Sequence, residues 1–154
     1  MSTNSTIAVQ LPDGSINGIY CHWNGYIEYN GLMLLTHYNT LQKAKRIIKH
    51  GYLSVLHSSV NAPKGKVHTF ETPQPKVCIY YGRDRGDNNV TLDKSATWDD
   101  FVLEQGREYN YLFSGGKWYV SFNDNPDKVL VTEWVDNNMT KEQLTKAFNA
   151  LEKY

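Results

Sequence analysis

The sequence predicts an α+β protein with a mostly antiparallel sheet of about five strands and two or three covering helices. Two hairpin patterns, at 5–21 and 108–122, place turn residues between runs rich in β-branched and aromatic residues. Three amphipathic segments, at 41–50, 95–106 and 141–152, begin at capping residues and predict helices. This order of elements favours helices against one face or edge of the sheet.

Length and composition predict one globular domain over residues 1–154. Hydrophobic residues make up 40% and charged residues 21% of the chain, a balance typical of a soluble folded protein. No apolar run approaches the roughly 18 residues of a membrane helix, and the N-terminus lacks a secretion signal. We therefore expect a cytoplasmic protein with no membrane partner. In that compartment Cys21 and Cys78 should be reduced and packed among apolar side chains.

Charge is unevenly distributed although the net charge is zero. Residues 1–77 hold seven Lys or Arg and three Asp or Glu, and residues 78–154 hold nine and thirteen. The net charge is therefore +4 for the first half and −4 for the second. We expect the two halves to fold against each other so that these charges mix. A strongly basic face is not indicated, so duplex nucleic acid is not an expected partner.

The first elements are a hairpin and a capped helix. Strands at 5–10 and 16–21 flank P-D-G-S, in which proline fixes one dihedral angle and glycine accepts a positive one. A short helix is predicted for L-M-L-L-T-H-Y after Gly31, followed by a longer helix that Asn39 or Thr40 caps. The cations of that helix should face solvent, with phosphate binding as the alternative. They are Lys43, Lys45, Arg46 and Lys49.

The middle of the chain contains the most apolar strand pattern, K-V-C-I-Y-Y at 76–81. Its β-branched and aromatic content predicts a central strand with Val77, Ile79 or both fully buried. Residues 54–66 read as a loop and 69–75 as an extended, proline-limited segment.

The C-terminal third predicts a helix, a hairpin and a second helix. Thr97 or Ser95 caps the helix at 95–106, and residues 128–134 are expected to add a strand after the 108–122 hairpin. Thr140 and Gln143 form a capping-box pattern at the start of the last helix. Its buried face should carry Leu144, Phe148 and Leu151.

The candidate site begins in the stretch from Ile19 to Tyr38, which is dense in aromatic and polar groups. Buried tyrosine hydroxyls and indole N–H groups need partners, so a plain core segment would favour aliphatic residues. Two Asn-Gly pairs, in W-N-G and Y-N-G, favour a compact loop. The stretch is either an aromatic wall lining a ligand site or a structural lock between the hairpin and the first helix.

A second candidate segment is G-R-D-R-G, directly after the predicted central strand. Arg83 and Arg85 would form a fork on phosphate or carboxylate, and Asp84 would orient one arginine or accept from a ligand. The alternative is a surface turn with internal ion pairs. Aromatic faces and arginines suit a nucleotide, but protein interfaces enrich the same residues.

Catalytic and metal signatures are absent from the sequence. It has no H-E-x-x-H, C-x-x-C, G-x-S-x-G or Walker pattern, so we predict no cofactor and no metal ligands. His22 and His37 would suit proton transfer if they converged, but partly buried, hydrogen-bonded histidines are the favoured interpretation.

Three blocks of sequence follow one another along the chain: Y-C-H-W-N-G-Y with Y-N-G-L-M-L-L-T-H-Y, then Y-Y-G-R-D-R-G, then Y-N-Y-L-F-S-G-G-K-W-Y-V-S. In this order they resemble a group of small accessory proteins carried by bacteriophages. The resemblance spans about residues 5–122 and carries over no catalytic residue. It implies expression in the cytoplasm of an infected bacterium, where such proteins often counter host defence.

Residues and resemblance together favour a non-enzymatic anti-defence protein that sequesters a nucleotide-derived immune signal. The predicted ligand-binding residues are His22, Trp23, Tyr26, Tyr29, Asn30, Arg83, Asp84 and Arg85. Two alternatives are a protein-binding inhibitor of a host defence enzyme or CRISPR effector, and an enzyme that degrades the signal. Oligomeric state is left open.

Overall fold

The computed structural model describes residues 2–153 and shows an α+β fold with a mixed sheet of eight strands. The strands are β1 (Ser5–Gln10), β2 (Ile16–Cys21), β3 (Leu53–Val55), β4 (Ile79–Tyr80), β5 (Asp93–Ser95), β6 (Tyr109–Ser114), β7 (Lys117–Phe122) and β8 (Val129–Leu130). The helices are α1 (Leu32–His37), α2 (Leu41–Ile48), α3 (Trp98–Gln105), α4 (Val131–Asn138) and α5 (Lys141–Glu152). A π-helical turn, Ile27–Gly31, leads directly into α1.

The sheet is mixed, so the prediction of about five mostly antiparallel strands was wrong. Its order is β4-β3-β2-β1-β6-β7-β8, and β5 pairs with β2 beside this path. The hairpins β1–β2 and β6–β7 are antiparallel as predicted, but they join through a parallel contact between β1 and β6. A hairpin pattern specifies only its own pairing, and the contact between hairpins left no local signal.

Helices cover both faces of the central sheet, whereas the sequence predicted helices against one face or edge. Ile7 and Val9 of β1 face the main core together with α1, α2, α4 and α5, whereas Ala8 faces α3. The alternation follows from the two-residue period of a strand. At Gly18 of β2 a Cβ atom would lie 2.4 Å from the Phe101 ring, so only glycine allows α3 to approach this closely.

Helix starts were the most accurate local predictions. Thr40 caps α2, Thr97 caps α3, and Thr140 and Gln143 form the predicted capping box at α5. Each threonine hydroxyl oxygen accepts from the backbone N–H three residues later, which satisfies a donor with no intrahelical partner. None of the helices within residues 2–153 is both long and apolar enough to span a membrane.

The segment 76–81 forms only the two-residue edge strand β4, not a central strand. Val77 is buried as predicted, but Ile79 is only half-buried. The burial comes from the loop between β3 and β4, where Val77 bridges Ser59 in parallel and the Cys78 sulfur lies 3.6 Å from the Tyr38 hydroxyl oxygen. A segment covered by a loop shows the same apolar pattern as a strand buried between two neighbouring strands. The sequence pattern therefore could not distinguish the two.

Two further predictions need correction at the C-terminus. The expected strand at 128–134 is limited to β8, because the chain enters α4 at Val131. On α5, Leu151 is buried and Leu144 half-buried, but Phe148 is 38% exposed. The apolar stripe of α5 is therefore only partly used by the core.

Candidate functional site

The aromatic stretch begins in a turn that other backbone segments hold in place. Asn24 adopts a left-handed conformation with φ of 59°, as its W-N-G context predicted. Gly25 donates its N–H to the Thr3 carbonyl at 2.8 Å, and its own carbonyl accepts from the Tyr111 hydroxyl at 2.6 Å. A Cβ at Gly25 would lie 2.8 Å from the Asn4 backbone, so the turn is a fixed platform.

Tyr29 and Asn30 lie inside the protein. The Tyr29 hydroxyl is 3.0 Å from both the Leu56 carbonyl oxygen and His57 Nδ1. Asn30 Nδ2 donates to Ser5 Oγ at 3.2 Å, while Asn30 Oδ1 has no hydrogen-bond partner among residues 2–153. These two residues form the structural lock that was the alternative to a ligand wall.

Tyr26 occupies an intermediate position. Its ring is half-buried against the main core, and its hydroxyl lies 3.4 Å from Asn24 Oδ1.

The second Asn-Gly pair, Asn30 and Gly31, does not form a tight turn. It lies inside the π-helical turn, and Gly31 has ordinary helical dihedral angles.

Arg83 and Asp84 are held together by an internal ion pair. Arg83 Nε and Nη2 donate to the Asp84 carboxylate at 2.9 and 3.1 Å. The guanidinium also donates to the carbonyl oxygens of Val60 at 2.8 Å and Cys78 at 3.0 Å. The Asp84 side chain is 3% and the Arg83 side chain 24% exposed, so most of this fork faces the protein.

The same carboxylate organises the loop between β3 and β4. Asp84 Oδ2 accepts from the Tyr80 N–H at 2.7 Å and lies 3.5 Å from His68 Nε2. His68 Nδ1 accepts from the Gln74 N–H at 2.9 Å, which leaves the proton on Nε2, 2.8 Å from the Cys78 carbonyl oxygen. Asp84 is therefore in contact with fold-determining donors rather than with solvent.

A row of tyrosines lies on the opposite side of the sheet from the main core. Cys21 pairs with Leu53, and Leu53 pairs with Tyr80, in a buried row across β2, β3 and β4. Successive strand residues point to opposite faces, so Tyr20 and Tyr81 lie on the other face. This face continues the one that α3 covers further along β2.

The tyrosine row belongs to a larger exposed cluster that we call the aromatic–arginine surface. It comprises Tyr20, His22, Trp23, Tyr52, Phe70, Tyr81, Arg85 and Arg107. The Tyr20 and Tyr52 rings meet edge to face with centroids 5.9 Å apart, and the Tyr20 hydroxyl lies 2.6 Å from His22 Nδ1. The His22 and Trp23 rings also meet edge to face, with centroids 4.7 Å apart. Trp23 is 42% exposed and is the most exposed tryptophan or phenylalanine of this surface.

Two arginines flank the rings. The Arg107 guanidinium carbon lies 5.0 Å from the Tyr20 ring centroid, and that of Arg85 lies 5.3 Å from Phe70 and 5.9 Å from Tyr81. Such cation–π contacts hold arginine side chains in place while leaving their donors free. Arg85 has a weak ion pair, Nε to Asp87 Oδ1 at 3.4 Å, whereas Arg107 has no ion pair within residues 2–153.

Tyr52 and Tyr81 of this surface are neutral over the physiological range. Partial burial and a 2.7 Å hydrogen bond to the Asp93 carboxylate raise the pKa of Tyr52 to about 12. Burial also raises the pKa of Tyr81. These hydroxyls therefore act as hydrogen-bonding groups and not as bases.

Five depressions in the part of the chain that the structure describes lie away from the predicted ligand-binding residues. Their volumes range from about 200 to about 710 Å³, and none includes any of those eight residues. Within residues 2–153, no group of three or more His, Cys, Asp or Glu side chains is arranged to hold a metal ion.

The comparisons identify no relative. No protein-family model, no curated protein and no solved structure matches the chain.

Of the eight predicted residues, three meet on the aromatic–arginine surface: His22, Trp23 and Arg85. The other five members of the surface were not predicted as ligand-binding residues: Tyr20, Tyr52, Phe70, Tyr81 and Arg107. Tyr81 could have been placed on this surface from the sequence. It follows the buried Tyr80 at the end of β4, and successive strand residues point to opposite faces. No pattern joined Arg107 to Tyr20, which are 87 positions apart in sequence.

Proposed function

We propose that this protein is a non-enzymatic binding protein that docks on a host protein through its aromatic–arginine surface. The observation that carries the proposal is Trp23, which is 42% exposed and whose ring meets that of His22, itself within hydrogen-bond distance of the Tyr20 hydroxyl. Protein interfaces enrich tryptophan, tyrosine and arginine, and their binding energy concentrates in such residues. Rings fixed before binding lose little conformational entropy when a partner covers them.

The biological setting follows from the resemblance to bacteriophage accessory proteins. We infer that the partner is a host defence enzyme or CRISPR effector, encountered in the cytoplasm of the infected bacterium. An inhibitor of this kind needs no catalytic group. The absence of nucleophile and metal-binding signatures from the sequence fits that role.

The test is an affinity purification from host lysate followed by measurement with the purified partner. Trp23→Ala is compared with Leu103→Ala, which removes an exposed side chain from the outer surface of α3. We expect Trp23→Ala to weaken the partner's binding on the order of 10- to 30-fold, as for a hot-spot residue worth about 2 kcal/mol. Leu103→Ala should bind like the wild type. Equal binding by both variants would refute the proposal.

A nucleotide-derived immune signal is the second candidate ligand. An exposed Trp23 face and the Arg85 guanidinium over Phe70 and Tyr81 supply a stacking platform and a cation for phosphate. Arg83 does not contribute, because both terminal nitrogens and Nε already donate within the protein. Calorimetry with cyclic dinucleotides and cyclic ADP-ribose isomers tests this candidate, and no binding to any of them would exclude it in favour of the protein partner.

A further inference from the structure

We propose that a second site, separate from the aromatic–arginine surface, binds a small oxyanion that carries an apolar group. The site is a cavity of about 200 Å³ between the end of α1, the loop after β3 and the last turns of α5. We call it the oxyanion pocket. It is lined by Thr36, His37, Ser58, Lys76, Phe148, Leu151 and Glu152.

The polar lining of the oxyanion pocket consists mainly of donors without internal partners. Within residues 2–153, the side chains of Thr36, Ser58, His37 and Lys76 make no hydrogen bond or ion pair. Hydroxyl, imidazole and ammonium groups together can donate to several oxygens of one phosphate, sulfate or carboxylate. Thr36, His37 and Lys76 are exposed and Ser58 is half-buried, so all four donors are accessible to a ligand in the cavity.

The local charge favours an anion. Partial burial lowers the pKa of His37, and the positive charges of Lys43 and Lys76 lower it further. Two ammonium groups thus act on this imidazole from α2 and from the segment before β4. Among the lining residues the Glu152 carboxylate of α5 balances Lys76, and Lys43, which lies outside the lining, supplies the excess positive charge near His37.

Backbone geometry fixes Lys76 at the rim. Its φ is 64°, a left-handed value that a lysine seldom adopts. The conformation is held by the Ser59 N–H, which donates to the Lys76 carbonyl at 3.0 Å, and by the Ser59–Val77 bridge. Residues that their surroundings hold in a rarely populated backbone conformation often lie at ligand sites.

The apolar wall comes from α5. Leu151 is buried, whereas Phe148 is 38% exposed and is one of the largest hydrophobic side chains left open to solvent. An apolar substituent on the anion would cover the Phe148 ring while its oxygens meet Lys76 and His37. The ligand class is therefore an aryl or alkyl phosphate, sulfate or carboxylate rather than a bare inorganic ion.

The first experiment is an NMR titration of the full chain with phenyl phosphate at pH 7. Inorganic phosphate and benzyl alcohol are titrated separately, to measure the anionic and apolar parts. We expect saturable shifts at the Ser58 and Lys76 amides, with phenyl phosphate binding at least about fivefold more tightly than either part alone. No saturable shift at these amides, or equal affinity for all three compounds, would overturn the proposal.

Variants locate the binding. Lys76→Asn removes the ammonium but tolerates the left-handed backbone, so the loop should keep its conformation. Lys45→Gln removes an exposed cation of α2 that does not line the pocket and serves as the control. We expect at least a fivefold loss for Lys76→Asn and less than a twofold change for Lys45→Gln. Equal losses would mean that general charge, and not the pocket, attracts the anion.

A pH series tests His37 with benzenesulfonate, whose charge is constant between pH 5 and 8. A bound anion favours the protonated imidazole and raises its pKa above the depressed value of the free protein. Binding should therefore strengthen as pH falls from 8 towards 5. Replacing His37 with glutamine should abolish this dependence, and a dependence that persists in His37→Gln would refute the role of His37.

Discussion

Asp84→Asn should destabilise the protein, because the carboxylate is the acceptor for three fold-determining donors. Arg83 Nε and Nη2 and the Tyr80 N–H all lie between 2.7 and 3.1 Å from its oxygens. Asparagine keeps the shape but replaces one oxygen with an NH₂ group, so two donors would face each other. It also leaves the Arg83 charge without its counter-ion.

The expected cost follows from burial. Breaking a buried ion pair by removing one partner costs about 3–5 kcal/mol. The Arg83 side chain is 24% exposed and keeps part of its hydration, so we expect about 2–4 kcal/mol. Asp87→Asn is the matched control, because Asp87 pairs with Arg85 where the side chains are 34% and 55% exposed. It should change stability by less than about 0.5 kcal/mol.

Urea denaturation monitored by tryptophan fluorescence measures both variants. The slope of unfolding free energy against urea should be unchanged, and only the midpoint should fall for Asp84→Asn. A loss below about 1 kcal/mol would show that the carboxylate is dispensable for the fold. It would then be free to act as the ligand group that the sequence suggested.

Three other predictions concern burial. Leu151→Ala should cost about 2–4 kcal/mol and Phe148→Ala about 1 kcal/mol or less, and urea titrations showing the reverse order would mean that α5 docks differently. Burial raises the pKa of Cys21 to about 12 and that of Cys78 to about 11, so a thiol reagent at pH 8 should find both unreactive in the native protein and free after denaturation without reductant. Zero free thiols in the denatured sample would contradict this. Trp23→Ala should lower stability by only about 1–2 kcal/mol in a thermal melt, and a loss of about 3–5 kcal/mol would make it a core residue.

The sequence predicted local structure well and long-range structure poorly. Thr40, Thr97 and Thr140 were identified as caps, or as one of two candidate caps, because a cap is a contact between residues three apart. The pairing of β1 with β6 joins Ser5 to Tyr109, and no short-range pattern encodes it. Without that pairing the sheet could not be recognised as mixed.

The candidate site shows the same division. Aromatic density drew attention to the partly exposed His22 and Trp23, but it could not separate them from Tyr29 and Asn30, which face inward. That separation depends on a turn fixed by Gly25 against the Asn4 backbone and on a π-helical turn that the second Asn-Gly pair did not suggest.

The parallel pairing of β1 with β6 delays completion of the sheet while the chain is being synthesised. Ser5 must wait for Tyr109, 104 positions later, and at about 5–20 residues per second the delay is about 5–20 s. During that time the β1 edge that later pairs with β6 stays exposed, and α4 and α5, which complete the core around Ile7 and Val9, have not yet been made. A non-local pairing at the centre of the sheet also slows refolding of the complete chain. The nascent protein should therefore depend on chaperones more than its modest size suggests.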